Sequence, residues 1–253
     1  MILEIEALNF AYKKENVLKN IDFSAQKGEL ITLIGPNGSG KSTLLKCINN
    51  YLQADQGQIR IKNKVIESYS KKELAQIIAY VPQAAENNFS NNVFETILMG
   101  RKAHSSWKPD SRDKKITAKV ISRLGLEDIA FKNIRNLSGG QRQKVFIARA
   151  AAQQAELILL DEPTNNLDLK HQLEVFNLIR KEVKSGKTAI VTMHDLSLVS
   201  RFSDRIIMLK NGSVFSDGNQ SSLSAAKINS VYGVEVSLKE HKGKKIIIPE
   251  KVV

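Results

Sequence analysis

A single cysteine, Cys47, stands in 253 residues. One thiol excludes an internal disulfide framework and fits a reducing compartment. Long apolar runs are missing too: runs such as "LILL", "AIV" and "III" fall far short of the roughly 18 residues that a membrane-spanning helix needs. The opening "MILEIEAL" carries acids and no basic leader, so no secretory signal is expected. Internal repeats, low-complexity tracts and flexible linkers are absent. Aromatic residues are not interleaved with the basic ones, which argues against a platform that stacks single-stranded nucleic acid.

What is present is ordinary for a soluble globular chain, with 42% hydrophobic and 25% charged residues. The length suffices for one large domain or two small ones with ample core. The formal net charge is +12. That excess permits attraction to polyphosphates, nucleic acid or an anionic membrane surface. It is spread out, however, with clusters at 101–119 and 239–251 and no long uninterrupted run. A lysine-rich solvated surface is the simpler account of it, so charge alone decides nothing.

The pattern along the chain is α/β, with strands alternating with helices around a mainly parallel core. "ILEIEALNFAY" alternates as a strand does. "ELITLIG", "AELILLDEP" and "KTAIVTMHD" are compact apolar runs of the kind found in buried strands. "QIRIKNKVI" and "RIIMLKNGSVFSDG" read as hairpins, the second turning at Asn211-Gly212. "DLKHQLEVFNLIRKEVKSG" spaces Leu169, Leu173, Val175, Phe176 and Ile179 for an amphipathic helix closing at Gly186. Between about 87 and 154 strand-like runs vanish, and "DKKITAKVISRLGL" and "QRQKVFIARAAAQQAEL" read as helices. A helical subdomain inserted into an α/β core is expected there.

Chemistry enters at "GPNGSGKS", residues Gly35, Pro36, Asn37, Gly38, Ser39, Gly40, Lys41 and Ser42, with Thr43 following. The stretch matches the phosphate-loop pattern G-x-x-x-x-G-K-[ST] and lies between a predicted strand and helix, as that pattern requires. Its glycines let backbone N–H groups point inward, and the following helix adds its positive end. Lys41 can reach terminal phosphates, and Ser42 can offer its hydroxyl to Mg²⁺. ATP or GTP binding follows. In "LILLDEP", Asp161 ends a buried strand and suits the metal's water shell, while Glu162 is placed to polarise an attacking water.

"NLSGGQRQK" is harder to explain. Ser138 and Gln141 fit a capping box without any ligand. Gly139 and Gly140 do not, since each costs about 1 kcal/mol relative to alanine inside a helix. Bare N–H groups at such a helix start suit an anion. The phosphate loop already supplies one anion cradle. A second implies another ligand, or a site shared between two copies.

Taken together, "LSGGQ", the phosphate loop and "LILLDEP" resemble the ATP-binding cassette family over nearly the whole chain. The resemblance implies the P-loop NTPase cassette fold: a mainly parallel core sheet, an antiparallel β subdomain and the helical insertion in one ATP-binding domain. It also implies a head-to-tail homodimer in which Ser138, Gly139, Gly140 and Gln141 grip the γ-phosphate held by the other copy. Tyr12 matches the aromatic that stacks on adenine. Gln83 in "YVPQ" matches the glutamine that touches Mg²⁺ and senses the transport partner. Asp168 in "NNLD" matches the aspartate linking the two sites, and His194 in "TMHD" the histidine that contacts the γ-phosphate. ATP and Mg²⁺ are the implied cofactors, with Ser42, Gln83 and Asp161 toward the metal. Lys41, Gln83, Glu162 and His194 are the implied catalytic set. His104, His171 and His241 receive no role.

Within the family, "LMGRKAHSSW", "HDLSLVSRFSDRIIMLKNGSVFSDG" and the tail "INSVYGVEV" resemble importers of iron(III)-siderophores, haem and cobalamin. Ala103 departs from the proline frequent in that subgroup, and Ala151 from the family's frequent leucine. The resemblance implies a C-terminal tail over about 219–253, a place on the cytoplasmic face of the cell membrane, and work with permease subunits and indirectly a solute-binding protein. Residues from Gln83 to His104 are expected to dock the permease. No nucleic-acid partner is expected. A soluble cassette acting on ribosomes or DNA is the reading of a different class; members of that kind carry two cassettes, coiled coils or zinc modules that this sequence lacks. A small phosphotransferase would not need "LSGGQ", and an exporter fits the "HDLSLV" and "VYGVEV" stretches less well.

Overall fold

Alternation at the start of the chain builds a ribbon. In the computed structural model, which describes residues 1–83, 91–105 and 108–252, strand β1 (Leu3–Tyr12) pairs antiparallel with β2 (Glu15–Ala25). Strand β3 (Leu30–Ile34) follows, then helix α1 (Lys41–Ile48), β4 (Gln56–Ile61) and β5 (Lys64–Val65). The other side of β1 pairs with β4, Leu3 facing Ile61 and Ile5 facing Ile59. Strand order β2-β1-β4-β5 makes an antiparallel sheet, with "QIRIKNKVI" as its last hairpin. No sequence expectation covers β2; its residues alternate only loosely between buried and exposed.

This segment belongs to the first of two compact units, Met1–Ser68 with Thr188–Val253; the second is Tyr69–Lys187. The second unit opens with α2 (Lys71–Ile77), whose capping box joins Ser70 and Glu73, and β6 (Ile78–Val81). Helices α3 (Val93–Leu98), α4 (Ser111–Leu124) and α5 (Gly139–Ala152) come next, then β7 (Leu157–Leu160) and α6 (Leu169–Lys184). Strands β6 and β7 pair in parallel, Ile78 with Leu157 and Val81 with Leu160. Between them the described residues form helices and turns, with one isolated bridge from Asn92 to Asn133. Of the segments singled out in the sequence, 84–90 and 106–107 lie outside the described residues.

A buried ion pair pins this helical region. Arg101 Nε donates to Asp113 Oδ1 at 2.9 Å, and Arg101 Nη1 donates to the Ala152 carbonyl at 2.8 Å. Both side chains are nearly inaccessible. Burial alone would raise the Asp113 carboxyl; bonds from Ser105 and Arg101 outweigh it and hold the group below its ordinary range. Helix α6 buries Val175, Phe176 and Ile179 as its periodicity requires. Leu169 differs: it stays 69% exposed, because it is the first residue of the helix and has no turn before it to pack under.

The chain then returns to the first unit through β8 (Thr188–Thr192), α7 (Leu196–Phe202), β9 (Arg205–Lys210) and β10 (Ser213–Gly218). Here β3 lies between β8 and β9, parallel to both, and β10 folds back on β9. All five residues of β3 and of β8 are buried. That is why they read as compact, mostly apolar runs and not as alternating ones. Helix α8 (Ala225–Tyr232) and the hairpin of β11 (Val234–His241) and β12 (Lys244–Val252) complete the unit. Cys47 is buried in α1, and burial with the nearby Asp55 charge pushes its thiol up to about 12, leaving it protonated and inert.

Candidate functional site

The loop after β3 carries backbone geometry that side chains resist. Gly35 has φ 151° and Gly40 φ 99°. A Cβ on Gly35 would stand 2.3 Å from the Leu209 carbonyl of β9, and one on Gly40 would stand 2.7 Å from Leu18 Cδ2 of β2. The loop therefore lies against two strands at a distance that only glycine allows. Gly40 caps α1 in a left-handed conformation and, having no side chain, makes no side-chain cap bond. Lys41 is 5% exposed, and its Nζ donates to the carbonyls of Gly35 at 2.8 Å and Pro36 at 3.0 Å. Ser39 Oγ is buried with no hydrogen-bond partner, inside the curl where a Gly35 side chain would otherwise go. A buried orphan hydroxyl beside a helix start and a lysine is the donor set that an anion satisfies.

Asn37 and Gly38 face outward on this loop, Ser42 is half-buried and Thr43 is buried. In the same unit Tyr12 ends β1 at 45% exposure, its ring edge-on to Phe10 with centroids 4.8 Å apart. A half-exposed ring held by a neighbour leaves a face for stacking. His194 follows β8 and is exposed; the next residue, Asp195, caps α7 by accepting from the Ser197 and Leu198 amides.

The second unit holds the acids. Asp161 N donates to the Val81 carbonyl at 2.9 Å, extending the β6–β7 pairing by one residue. Asp161 is 3% exposed, and its carboxylate accepts from the Tyr80 hydroxyl at 3.4 Å. Burial, and then the Asp161 charge, push the Tyr80 hydroxyl well above its ordinary range. Glu162 sits at φ 47°, a left-handed conformation that is costly for a side chain of this size. Its Oε2 accepts from Gln83 Nε2 at 2.6 Å and Asn165 Nδ2 at 3.0 Å. Gln83 and Glu162, 79 residues apart in sequence, are thus brought together. Asn165 was not anticipated, although its spacing of three from Glu162 within a turn is the available signal.

At the start of α5 the expected capping box is present: Gln141 N donates to Ser138 Oγ at 3.2 Å, and Ser138 N donates to Gln141 Oε1 at 3.1 Å. The two glycines now separate. A Cβ on Gly140 would stand 2.3 Å from His171 Cδ2, so packing within the chain forbids one. A Cβ on Gly139 would meet nothing closer than Leu167 Cδ2 at 3.8 Å. Its propensity cost has no internal explanation, and it lies exposed. Asp168 caps α6, accepting from His171 N at 2.8 Å, and the same oxygen lies 2.7 Å from His171 Nδ1. The backbone bond from His171, then the ring bond, hold its carboxyl below its ordinary range. His171 carried no expectation from the sequence.

An open groove in this unit is lined by Asn91, Glu95, Leu98, Met99 and Lys102, within the segment expected to dock a permease. Among the described residues no cluster of three histidine, cysteine or acidic side chains forms a metal cage. No helix among them is long and apolar enough to cross a membrane.

The family model for the ABC transporter matches residues 18–165. An uncharacterised ABC transporter ATP-binding protein of Methanocaldococcus jannaschii is 46% identical over 250 residues, 98% of each chain. The iron(3+)-hydroxamate import ATP-binding protein of Bacillus subtilis is 39% identical over 219 residues, 85% of this chain and 81% of its own. Among solved structures, a metal-chelate type ABC transporter in an inward-facing conformation superposes with a TM-score of 0.87 at 29% identity, over 99% of this chain and 97% of that one.

Proposed function

Because this chain belongs to the ABC transporter family, we propose that it is the ATP-hydrolysing subunit of an importer whose cargo is an iron(III)-siderophore. Haem, cobalamin and other metal chelates are the neighbouring cargo classes. The iron-hydroxamate relative and the metal-chelate structural neighbour support this choice. A cassette of this kind works at the cytoplasmic face of the membrane through permease subunits, which receive cargo from a solute-binding protein.

ATP is the substrate. The Gly35–Ser42 backbone and Lys41 hold its phosphates, and Tyr12 stacks on the adenine. Mg²⁺ when bound would neutralise charge on the phosphate oxygens; Ser42, Gln83 and Asp161 would hold it with the hard oxygen donors that this ion takes. Glu162 orients a water and accepts its proton as the water oxygen bonds to the γ-phosphorus. The bond to the bridging oxygen breaks, ADP departs with that electron pair, and phosphate is released. Lys41 and His194 stabilise charge on the γ-phosphoryl group. Ser138, Gly139, Gly140 and Gln141 complete the site of a second copy, with Asp168 linking the two.

The observation that carries this reading is Gly139: an exposed helix start with open space where a side chain would fit, next to a capping box that has satisfied its own donors. Loss of the γ-phosphate removes what both copies hold, so the pair loosens and the permease can reset. Co-purification from membranes with mass spectrometry is the test. A polytopic permease and its solute-binding protein are the expected partners, captured by crosslinkers placed at Met99 or Lys102. Recovery with ribosomes and no permease would establish the soluble alternative instead.

A further inference from the structure

We propose that His171 is a positioning residue that locks the Asp168 turn to the start of α5, so that the two segments offered to the second copy act as one. The inference rests on the head-to-tail reading above. Gly140 has no Cβ, and its missing volume is taken by the His171 side chain: an added atom would lie 2.3 Å from Cδ2, 2.5 Å from Cγ and 2.9 Å from Cβ. The opposite edge of the same ring reaches Asp168, Nδ1 to Oδ1 at 2.7 Å. A carboxylate only accepts, so Nδ1 carries the proton.

One imidazole therefore touches a residue of each segment, with van der Waals contact on one edge and a charge-assisted hydrogen bond on the other. Close packing leaves no slack in such an arrangement: moving Asp168 pulls the ring from beneath Gly140 or lengthens the bond. One turn further along α6, Glu174 pairs with Lys144 of α5 and makes a second tie between the helices. The cap of α6 does not depend on the ring, because Asp168 also accepts from the His171 backbone amide at 2.8 Å. Substitution at His171 thus removes the link and keeps the cap.

The test uses the full-length Glu162→Gln protein, which the head-to-tail reading expects to pair in ATP. Adding His171→Ala is expected to raise the protein concentration needed for ATP-driven pairing about tenfold, the size of one charged hydrogen bond, while ATP binding to the separate cassette changes less than about twofold. His171→Asn restores a donor for Asp168 but leaves a void under Gly140; His171→Phe fills the void without the donor. Each is expected to recover part of the loss, and both keep the test available should the alanine protein fail to fold. Unchanged pairing in all three variants would overturn the inference, as would an equal loss of cassette ATP binding, which marks a merely structural role. Failure of Glu162→Gln itself to pair would instead sink the head-to-tail reading.

Discussion

Glu162→Gln protein binds ATP as the parent does and hydrolyses it about 10²–10⁴-fold more slowly, the range that a general base contributes. The amide cannot take a proton from water, so the step that commits the nucleophile is lost. The substitution leaves the phosphate loop's own sequence unchanged, and Gly35 and Gly40 still lie against β9 and β2. Glutamine keeps the length of the side chain and an oxygen that can still accept from Gln83 and Asn165, so the strained turn at φ 47° persists. Single-turnover hydrolysis of labelled ATP, measured beside equilibrium nucleotide binding, separates the two effects. Parental turnover in this variant would remove Glu162 from its role.

Lys41→Ala fails at the opposite step. The ammonium group is buried against two loop carbonyls, at 2.8 and 3.0 Å. Its removal strips Gly35 and Pro36 of a donor and, on the proposed reading, deletes the cation that holds the phosphates. The Kd for ATP rises about ten- to hundredfold, corresponding to one charged hydrogen bond of about 1.5–3 kcal/mol. Titration with a fluorescent ATP analogue reads this directly, and circular dichroism checks that the fold is retained. Unchanged affinity would mean that the loop's amides hold nucleotide without the lysine. The two variants together give opposite signatures: binding without hydrolysis for Glu162, and loss of binding for Lys41.

Local chemistry was legible in the sequence wherever one stretch of chain contains its own reason. The Asn211-Gly212 turn has φ values of 50° and 84°, as a primed hairpin requires. The Ser138–Gln141 box and the compact, mostly apolar runs of β3 and β8 likewise follow from short-range rules. No sequence expectation covers the C-terminal hairpin, although Lys242-Gly243, at φ 51° and 72°, makes the same kind of turn. What could not be read was contact across sequence distance. Gln83 meets Glu162, and His171 fills the space beside Gly140, because folding places them together; neither pair has a spacing that a motif records. Gly140 shows the consequence. From sequence it looked like half of an anion-binding pair, whereas its lack of a side chain is already required by His171, and only Gly139 remains free of an internal cause.

The central claim is that one cassette supplies half of each catalytic pocket and a second copy supplies the rest. Its most direct measurement is ATPase activity per mole of the purified protein across a wide dilution series, with light scattering recording mass at each point. The account predicts that specific activity falls as the protein is diluted and tracks the fraction paired in ATP. Constant specific activity from protein that remains monomeric throughout the series would contradict it.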